Sequence, residues 1–339
     1  MEYRSLGRSG AKVSALCLGT MTWGGRTDEP AAQQILDFAM ERGINFVDTA
    51  NVYTRGVSEE ILGRAMARDS KRDQLFVATK FTGNMGPGPN EGGSSRYHIM
   101  RACEASLRRL QTDRIDLYYV HFMDMVTPVD EVLGALDDLV RQGKVNYLGT
   151  SKWVPSLLAE AIMTSIHYGY SRFVAEQPPY NLLDRSVEKE LVWTALRHGV
   201  GLVPWAPLAT GILSGQYQSA DDRPEGSRAA GNGINAARMT DAAVERAEQL
   251  KPLAEAKGLT LAQFSLAWLS QQPAVTAPIL GVRELRHLES ALPAFENPLT
   301  AAELDQVDAI APPGSVVSDY WDQNTFSRIR PACLAHRRA

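Results

Sequence analysis

Four side chains of the types used in acid–base chemistry lie at or just beyond the ends of short apolar runs. Asp48, Lys80 and His121 each end one run, and Tyr53 follows Asp48 closely. A phenol has a pKa of about 10, which is too high for an efficient acid at neutral pH, but a neighbouring ammonium lowers that pKa by favouring the phenolate. A carboxylate beside the ammonium would keep it charged, and a histidine could hydrogen-bond the reacting oxygen. The set therefore indicates proton transfer to or from a substrate oxygen.

Each of these residues also has an ordinary structural explanation when it is taken alone. Asp48 could cap the turn that leads to Tyr53, a tyrosine after a strand often packs at a rim, and Lys80 could be solvated. His121 could be a core histidine whose hydrogen bonds are satisfied. One shared site explains all four residues more simply than four independent structural roles. Whether they can share a site depends on the strands and helices around them.

Those elements alternate between short apolar runs and longer segments with helical periodicity. The runs predict eight strands, at residues 14–18, 45–48, 75–80, 115–121, 145–151, 173–177, 201–206 and 274–280. The longer segments predict helices at residues 30–42, 58–67, 95–110, 129–141, 154–167 and 187–198. Ser58 occupies the expected capping position of the second helix.

Continuous apolar runs are typical of strands that are buried on both faces. About eight strand–helix units in succession favour an α/β fold, a closed (β/α)8 TIM barrel, and a doubly wound open sheet is the main alternative. In a barrel the carboxyl ends of all strands meet at one mouth. Asp48, Lys80 and His121 would therefore converge there.

The remaining segments would extend this barrel. Residues 3–13 alternate around a Ser-Gly turn and predict an N-terminal β-hairpin before the first barrel strand. Residues 81–95 and 208–240 are long and rich in glycine, and both follow strand ends, where a barrel carries its functional loops. Since no linker separates these parts, we expect residues 1–339 to form a single domain.

Composition excludes several classes of protein. The chain has 44% hydrophobic and 22% charged residues and a formal net charge of -4, so we expect no nucleic-acid partner and no attraction to anionic membranes. The N-terminus lacks an apolar signal region, and no stretch reaches the roughly 18 apolar residues that a spanning helix needs. Cys17, Cys103 and Cys333 are odd in number and have no paired spacing, which fits a reducing compartment. We therefore expect a cytoplasmic protein.

Other catalytic designs lack their motifs in this sequence. No GxGxxG follows a predicted strand, which disfavours a Rossmann dinucleotide fold, and no GxSxG elbow indicates an α/β-hydrolase. The six histidines show neither HxH nor HExxH spacing, so no metal site is expected.

The sequence resembles the aldo-keto reductases from residue 3 to about residue 292. The resemblance is carried by DTANVY at 48–53, by Lys80, and by HFMD at 121–124. It continues through GKVNYLGTS at 143–151, EQPPYN at 176–181, WAPLATG at 205–211 and PILG at 278–281. GTSKW at 149–153 and LATGILSG at 208–215 are most similar to the branch that contains bacterial reductases and the β-subunits of voltage-gated potassium channels.

The resemblance implies a (β/α)8 barrel that binds NADP(H), or NAD(H), in an extended pose across its mouth. It implies reversible hydride transfer between the nicotinamide and a carbonyl or alcohol carbon, without a metal. Tyr53 would be the general acid in reduction and the base in oxidation. Lys80 would lower the pKa of Tyr53, Asp48 would pair with Lys80, and His121 would orient the carbonyl.

The resemblance also implies a path for the cofactor. The nicotinamide end would contact Gly19, Thr20, Met21, Asp48, Ser151, Lys152, Gln177 and Tyr180. The pyrophosphate and adenosine end would contact Trp205, Ala206, Pro207, Leu208, Gly211, Gln216, Arg228, Gly281, Arg283 and His287. Among these, Arg228 would clamp the 2′-phosphate, because an arginine fork donates two hydrogen bonds to such a group.

Several positions depart from the family pattern. Gln216 stands where the related branch has a lysine, so one cation near the pyrophosphate is missing. His287, Ser290 and Ala291 stand where that branch has Gln, Glu and Asn, which weakens the expected contacts to adenine. Lys152 stands where many members have asparagine. The preference for NADP over NAD therefore depends on positions that this chain has changed.

The substrate would be a small carbonyl or alcohol compound that enters the mouth. Aromatic side chains are expected to make an apolar pocket around its reacting group, and the sequence is compatible with a homo-oligomer. The pocket candidates are Tyr53 and His121 with Trp23, Phe81, Phe122, Trp153 and the C-terminal Tyr320 and Trp321. The alternative function is a regulatory subunit that senses NADP(H) without turnover, against which the complete set of Asp48, Tyr53, Lys80 and His121 argues.

Overall fold

The computed structural model describes residues 1–222, 230 and 234–321, and in that part of the chain eight parallel strands form one sheet. After two hairpin strands, β1 Tyr3–Ser5 and β2 Lys12–Ser14, the strands of this sheet are β3 Cys17–Gly19, β4 Phe46–Asp48, β5 Phe76–Phe81, β6 Ile115–Val120, β7 Val145–Ser151, β8 Phe173–Gln177, β9 Gly201–Leu202 and β10 Ile279–Gly281. In spatial order they are β10-β3-β4-β5-β6-β7-β8-β9.

The sheet closes on itself between β9 and the segment that leads into β10. The backbone N–H of Leu202 donates to the Ala274 carbonyl at 2.7 Å, and Thr276 N–H donates back to Leu202 at 2.8 Å. Farther along, Ile279 N–H donates to the Pro204 carbonyl at 2.8 Å. The fold is therefore the predicted (β/α)8 barrel, and the alternative of an open doubly wound sheet is excluded.

Helices surround the sheet and follow the strands in the order that the sequence predicts. Their bounds are α1 Glu29–Glu41, α2 Val57–Ala67, α3 Arg96–Leu110, α4 Val129–Arg141, α5 Pro155–Tyr168, α6 Leu191–His198, α7 Ile234–Ala237, α8 Asp241–Ala256, α9 Leu261–Ser270, α10 Leu285–Ala291 and α11 Ala301–Ile310. In this part of the chain no helix has both the length and the apolar character needed to cross a membrane.

A hairpin precedes the barrel, as the alternation of residues 3–13 predicts. Its strands are β1 Tyr3–Ser5 and β2 Lys12–Ser14, which pair antiparallel. Leu6 and Val13 are fully buried and pack with Cys17 and Phe46, whose side chains face the barrel interior. The hairpin thus contributes apolar side chains to the inner core.

Side chains along each barrel strand alternate between an inner core and an outer layer beneath the helices, as the twofold period of a strand requires. On β5, Ala78 belongs to the inner core and Phe81 to the outer layer. On β6, Leu117 and Tyr119 belong to the inner core and Tyr118 to the outer layer. This alternation determines which strand-end residues can reach the mouth.

Several predicted details are wrong. The first barrel strand covers residues 17–19 and not 14–18, and the sixth helix begins at residue 191 and not 187. The seventh and eighth strands are shorter than their apolar runs, because Pro204 and Pro278 interrupt them and proline cannot donate to a strand ladder. Ser58 does not cap α2, which begins after Gly56 without a side-chain cap. The Ser58 hydroxyl instead lies 2.8 Å from Thr20 Oγ1 and 3.0 Å from Thr49 Oγ1, so it ties together the segments that leave β3 and β4.

Candidate active site

Polar side chains that point into the barrel meet at the carboxyl ends of the strands. Lys80, fully buried near the end of β5, donates from Nζ to Asp48 Oδ1 at 2.5 Å and to the Thr49 carbonyl at 2.7 Å. Asp48 ends β4, and its second oxygen accepts a 2.9 Å hydrogen bond from Gln177 Nε2 at the end of β8. Residues from three strands therefore form one connected group, in which both carboxylate oxygens are used.

Tyr53 completes this group from the segment that follows β4. The Lys80 ammonium donates to the Tyr53 hydroxyl oxygen at 3.1 Å. Because the ammonium occupies a lone pair of that oxygen, the phenol proton stays available for donation elsewhere. The Tyr53 side chain is half-buried, whereas Asp48 and Lys80 are almost completely covered, so the phenol is the member that a substrate can touch.

His121 stands beside Tyr53, immediately after β6. The two rings meet edge-on with 5.9 Å between centroids. The ring of Phe122 stacks on His121 at 4.2 Å, and Lys152 Nζ lies 3.9 Å from the centroid of Phe122. The predicted catalytic residues Asp48, Tyr53, Lys80 and His121 are thus brought together in the structure.

Burial sets the electrostatics of this cluster. It raises the pKa of Tyr53, and the Lys80 charge only partly opposes that rise. Burial also raises the pKa of Asp48 against the opposing effects of Lys80 and Gln177. For Lys80 burial lowers the pKa, but the attraction of Asp48 and Tyr53 outweighs it and the net shift is upward.

Lys80 lowers the pKa of Tyr53, as the sequence predicts, but burial of the phenol raises that pKa by more. The ammonium does not lower the pKa of Tyr53 below its ordinary value in this structure, because desolvation of the phenolate is the larger effect. Tyr53 therefore stays protonated and Lys80 stays charged at neutral pH. The resting arrangement suits proton donation by Tyr53 to an oxygen that gains negative charge.

Several residues expected near the nicotinamide line the same mouth. Ser151 ends β7 and donates from Oγ to the Gln177 carbonyl at 2.9 Å. Thr20 Oγ1 donates to the Asp48 carbonyl at 3.1 Å, and the side chain of Met21 is half exposed. Gly19 pairs with Asp48 on one side and Gly281 on the other; a Cβ on Gly19 would lie 2.7 Å from Ile279 Cγ2.

The segment after β9 forms a strained turn. Ala206, Ala209, Thr210 and Gly211 have φ values of +53°, +48°, +56° and +105°. Positive φ is costly for residues with a Cβ and is concentrated at functional sites. Successive backbone N–H groups in such turns can form a concave anion site.

Trp205 offers a hydrogen-bond donor at this turn, and Gly211 packs closely against two neighbouring side chains. The buried indole N–H of Trp205 has no hydrogen-bond partner among the described residues. A Cβ on Gly211 would lie 3.3 Å from Gln216 Nε2 and 3.4 Å from Tyr217 Oη. Pro207 is buried and Leu208 half-buried in the turn, while Gln216 is exposed beside it. The residues present thus fit a dinucleotide whose phosphates cross this turn.

Several predicted site residues do not reach this cluster. Tyr180 is fully buried, packs edge-on against Trp268 at 5.5 Å and donates to Glu188 at 2.6 Å. Its side chain therefore belongs to the outer layer and not to a cofactor face. The hydroxyl is held there by a carboxylate, which the sequence does not reveal.

Three of the proposed pocket aromatics are also core residues. Phe81 packs between Tyr118 and His98, because the residue after the inward Lys80 must point outward. Trp153 is 2% exposed and packs edge-on against Phe173. Trp23 is fully buried in the same outer layer. Of the proposed aromatic pocket residues on the strand-end segments, Phe122 is the half-buried one that lies beside His121.

The predicted residues at the adenosine end are only partly placed. Arg228 lies outside the described residues, as does Cys333. Arg283 and His287 are half-buried around the start of α10, and the Arg283 carbonyl accepts a 3.2 Å hydrogen bond from Thr27 Oγ1. The C-terminal Tyr320 is buried, and its hydroxyl lies 3.1 Å from Thr210 Oγ1 in the strained turn.

The sequence reading missed Glu176 beneath the exit of β7. Its carboxyl group accepts hydrogen bonds from the Thr150 hydroxyl and, at 3.3 Å, from the Trp153 backbone N–H. Burial raises the pKa of Glu176 to about 8. Neighbouring residues on a strand point to opposite faces of the sheet. Because Gln177 points into the barrel, the sequence could have shown that Glu176 points outward and is buried beneath the helices.

The fold and the cluster together define a (β/α)8 barrel with a connected acid–base group at its mouth, and comparison with known proteins identifies the family. The family model described as Aldo/keto reductase family matches residues 15–312. Within the described residues no group of three His, Cys, Asp or Glu side chains could hold a metal ion.

Full-length relatives agree with that match. The "Uncharacterized oxidoreductase YrpG" of Bacillus subtilis is 38% identical over 92% of this chain and 96% of its own length. A "Probable voltage-gated potassium channel subunit beta" of Arabidopsis thaliana is 36% identical over 91% and 96%. "Norsolorinic acid reductase B" of Aspergillus parasiticus is 35% identical over 91% and 83%. The chain therefore belongs to the aldo/keto reductase family and is an oxidoreductase by that membership.

Proposed function

We propose that the protein catalyses NADP(H)-dependent interconversion of a carbonyl compound and its alcohol, with Tyr53 as general acid and base. The observation that carries this proposal is the connected group in which Lys80 bonds both Asp48 and the Tyr53 oxygen, at 2.5 and 3.1 Å. That arrangement holds a protonated phenol at the mouth with a fixed positive charge behind it.

Each member has a distinct task in reduction. Tyr53 donates its proton to the substrate oxygen as that oxygen gains negative charge. Lys80 stabilises the phenolate that remains, because its ammonium already contacts the phenol oxygen. Asp48 keeps Lys80 charged and, through Gln177, joins this group to the end of β8. His121 lies where it can hydrogen-bond the carbonyl and orient it.

NADP(H), when bound, supplies or accepts the hydride. Ser151, Gln177 and Thr20 would surround its nicotinamide end, and the strained turn 205–211 would meet its phosphates. The unpartnered indole N–H of Trp205 supports the placement of the phosphates at this turn. Gly281, Arg283 and His287 would lie toward the adenosine end.

A panel of aldehydes, ketones and alcohols tests the reaction class directly. Purified protein with NADPH should oxidise the cofactor only when an acceptable carbonyl compound is added, and NADP⁺ with the alcohol should show the reverse. Absorbance of the reduced nicotinamide measures both directions. Absence of turnover across the panel by protein that binds NADPH would contradict the proposal.

Arg228 is the proposed contact for the 2′-phosphate, which distinguishes NADP from NAD. Arg228→Ala should weaken NADPH binding by about 10- to 100-fold, since it removes charge-assisted hydrogen bonds, and should leave NADH binding nearly unchanged. Titration by protein fluorescence measures both dissociation constants. Equal losses for the two cofactors would remove Arg228 from this role.

A regulatory subunit that binds NADP(H) without turnover is the second candidate. The relatives named as potassium channel β-subunits favour it, whereas the complete acid–base group favours the enzyme. Tight NADPH binding without any turnover would support the regulatory function. We also propose that residues 1–339 form a single cytoplasmic domain, which the unpaired buried thiols of Cys17 and Cys103 support.

A further inference from the structure

The Lys80 ammonium has three N–H bonds, and each of them has an acceptor. Nζ donates to Asp48 Oδ1 at 2.5 Å, to the Thr49 carbonyl at 2.7 Å and to the Tyr53 hydroxyl at 3.1 Å. Because the three donors of an ammonium are arranged tetrahedrally, the positions of two acceptors determine the direction of the third bond. The placement of Asp48 and Thr49 therefore decides whether the ammonium points at the phenol oxygen.

Asp48 and Thr49 are neighbours at the point where the chain leaves β4, and both adjacent strands hold them. The Thr49 N–H donates to the carbonyl of Ala78 on β5 at 2.9 Å. Thr20, directly after β3, donates to the Asp48 carbonyl from its N–H at 2.9 Å and from Oγ1 at 3.1 Å. The backbone that carries two of the three acceptors of Lys80 is thus fixed partly by a hydroxyl group.

Ser58 joins these segments from the first turn of α2. Its hydroxyl oxygen lies 2.8 Å from Thr20 Oγ1 and 3.0 Å from Thr49 Oγ1, and it donates to the Thr20 carbonyl at 2.9 Å. All three residues are completely buried, so a polar group that loses its partner here is left unsatisfied. One hydroxyl group therefore ties the exits of β3 and β4 to α2, directly behind the acceptors of Lys80.

We propose that Ser58 is a positioning residue for proton transfer, which acts through Thr49 to aim the third N–H of Lys80 at Tyr53. The inference rests on the proposed carbonyl reduction. Without the Ser58 hydroxyl, the Thr49 carbonyl would shift and the ammonium would stabilise the Tyr53 phenolate less. The hydride step would then slow, whereas binding of NADPH and of the carbonyl compound would change little.

The test uses variants that differ by one hydroxyl group. Ser58→Ala removes the central oxygen, Thr49→Val removes its partner and keeps the branched shape, and Thr49→Ser keeps the hydroxyl. Ser165→Ala is the control, because Ser165 is also completely buried and its hydroxyl donates to the Ser171 carbonyl at 3.4 Å. Ser165 lies near the end of α5, where the chain approaches the start of β8, at the end of the barrel opposite the mouth.

Stopped-flow absorbance would measure a single turnover of 4-nitrobenzaldehyde by protein loaded with NADPH. Ser58→Ala and Thr49→Val should each lower the rate constant by about 5- to 30-fold, as loss of a hydrogen bond to a buried group does, and should change both dissociation constants by less than about twofold. Thr49→Ser should lose less than Thr49→Val, and Ser165→Ala should match wild type. Weaker binding with an unchanged rate constant, or an equal loss in the control, would overturn the proposal.

A Tyr53→Phe background supplies a readout that a merely structural role would not move. It has no phenol proton for Lys80 to influence, so adding Ser58→Ala should change the remaining rate constant by less than about twofold. Residues that act through one shared group show such non-additive effects. A further loss of about 5- to 30-fold in that background would show that Ser58 acts on the fold in general and would contradict the proposal.

Crystal structures separate this proposal from the proposed function. In Ser58→Ala the distance from Lys80 Nζ to Tyr53 Oη should increase from 3.1 Å to beyond the limit of about 3.5 Å for a hydrogen bond, and it should stay unchanged in Ser165→Ala. If wild-type protein reduces no carbonyl compound, the proposed reaction fails, while the longer distance still supports Ser58 as a positioning residue. An unchanged distance in Ser58→Ala would overturn the assignment even in an active enzyme.

Discussion

The two halves of the barrel mouth are built in different ways. In the half formed by β4, β5 and β6, the functional side chains stand on or directly after strand ends, as Asp48 and Lys80 do. In the half formed by β9 and β10 the wall is the turn 205–211, which follows the two-residue strand β9. Four residues of that turn have positive φ. Strand ends position Asp48 and Lys80 in the first half, whereas a turn outside the strands forms the second.

This difference matches the two tasks that we propose for the site. Proton transfer requires a hydrogen-bonded geometry that varies little, and strand ends supply it. An extended ligand would be bound through many weaker contacts along its length, and a turn outside the strand ladder suits that proposed task. Substitutions in the first half should therefore abolish chemistry, and those in the second should weaken binding.

The largest effect should come from Tyr53→Phe. This change removes the proton donor and keeps the ring, so kcat should fall by about 10²- to 10⁴-fold while the dissociation constant for NADPH stays nearly unchanged. Steady-state kinetics and a fluorescence titration measure the two quantities. A parallel loss of cofactor binding would show that the two halves are not separable.

Lys80→Met should have the next largest effect, on stability. The change leaves Asp48 buried without its ion-pair partner, and breaking a buried pair costs about 3–5 kcal/mol of unfolding free energy. Urea denaturation measures it. The double variant Lys80→Met with Asp48→Asn should regain most of that loss, since no charge is then left buried; a double variant as unstable as the single one would contradict this explanation.

Glu176→Gln should change how stability depends on pH. The folded pKa of Glu176 is about 8, against 4.5 as its ordinary value, so between these values the folded protein holds a proton that the unfolded chain has released. Glu176 contributes fully to the free energy of unfolding below about pH 4.5, and this contribution is lost as the pH rises through about 8. The wild-type unfolding free energy should thus fall by up to about 1.4 kcal/mol per pH unit in this window.

Glu176→Gln should abolish this fall of the unfolding free energy with pH, because glutamine does not titrate. Urea unfolding at several pH values within the window measures it, and Glu160→Gln, on the exposed face of α5, serves as the control. The control should keep the wild-type slope. A Glu176→Gln protein with an unchanged slope would show that another group is responsible.

The smallest effect should come from Gly211→Ala in the turn. Alanine at φ +105° is strained, which should cost about 1–2 kcal/mol of unfolding free energy. Its Cβ would also approach Gln216 and Tyr217, so NADPH binding should weaken while kcat at saturating cofactor changes little. Thermal unfolding and cofactor titration measure these effects. A large fall in kcat with normal binding would contradict the division between the two halves.

The first half of the mouth could be predicted from the sequence, because apolar runs end visibly at Asp48, Lys80 and His121. The alternation that turns Lys80 inward turns Phe81 outward. The burial of Phe81 beneath the helices could therefore have been predicted, although Phe81 was expected in the substrate pocket. The ring of Tyr180 was expected near the cofactor. Its partners Glu188 and Trp268 come from segments whose approach the sequence does not show, so its position could not be predicted.

The second half was harder to predict for physical reasons. Pro204 and Pro278 shorten the last two strands, which their apolar composition does not reveal. Positive φ at Ala206 and Ala209 is imposed by the surrounding fold, since alanine has no local preference for it. The likeness to a known family, and not periodicity, therefore singled out residues 205–211 in the sequence.

Transfer of deuterium from NADPH labelled at C4 tests the central claim most directly. With an aldehyde that the protein reduces, the wild-type enzyme should place the label on the carbinol carbon of the alcohol, and Tyr53→Phe should do so about 10²- to 10⁴-fold more slowly at equal cofactor occupancy. The reaction would then be hydride transfer assisted by the Tyr53 proton. An unlabelled alcohol, or a Tyr53→Phe enzyme as fast as wild type, would contradict the account.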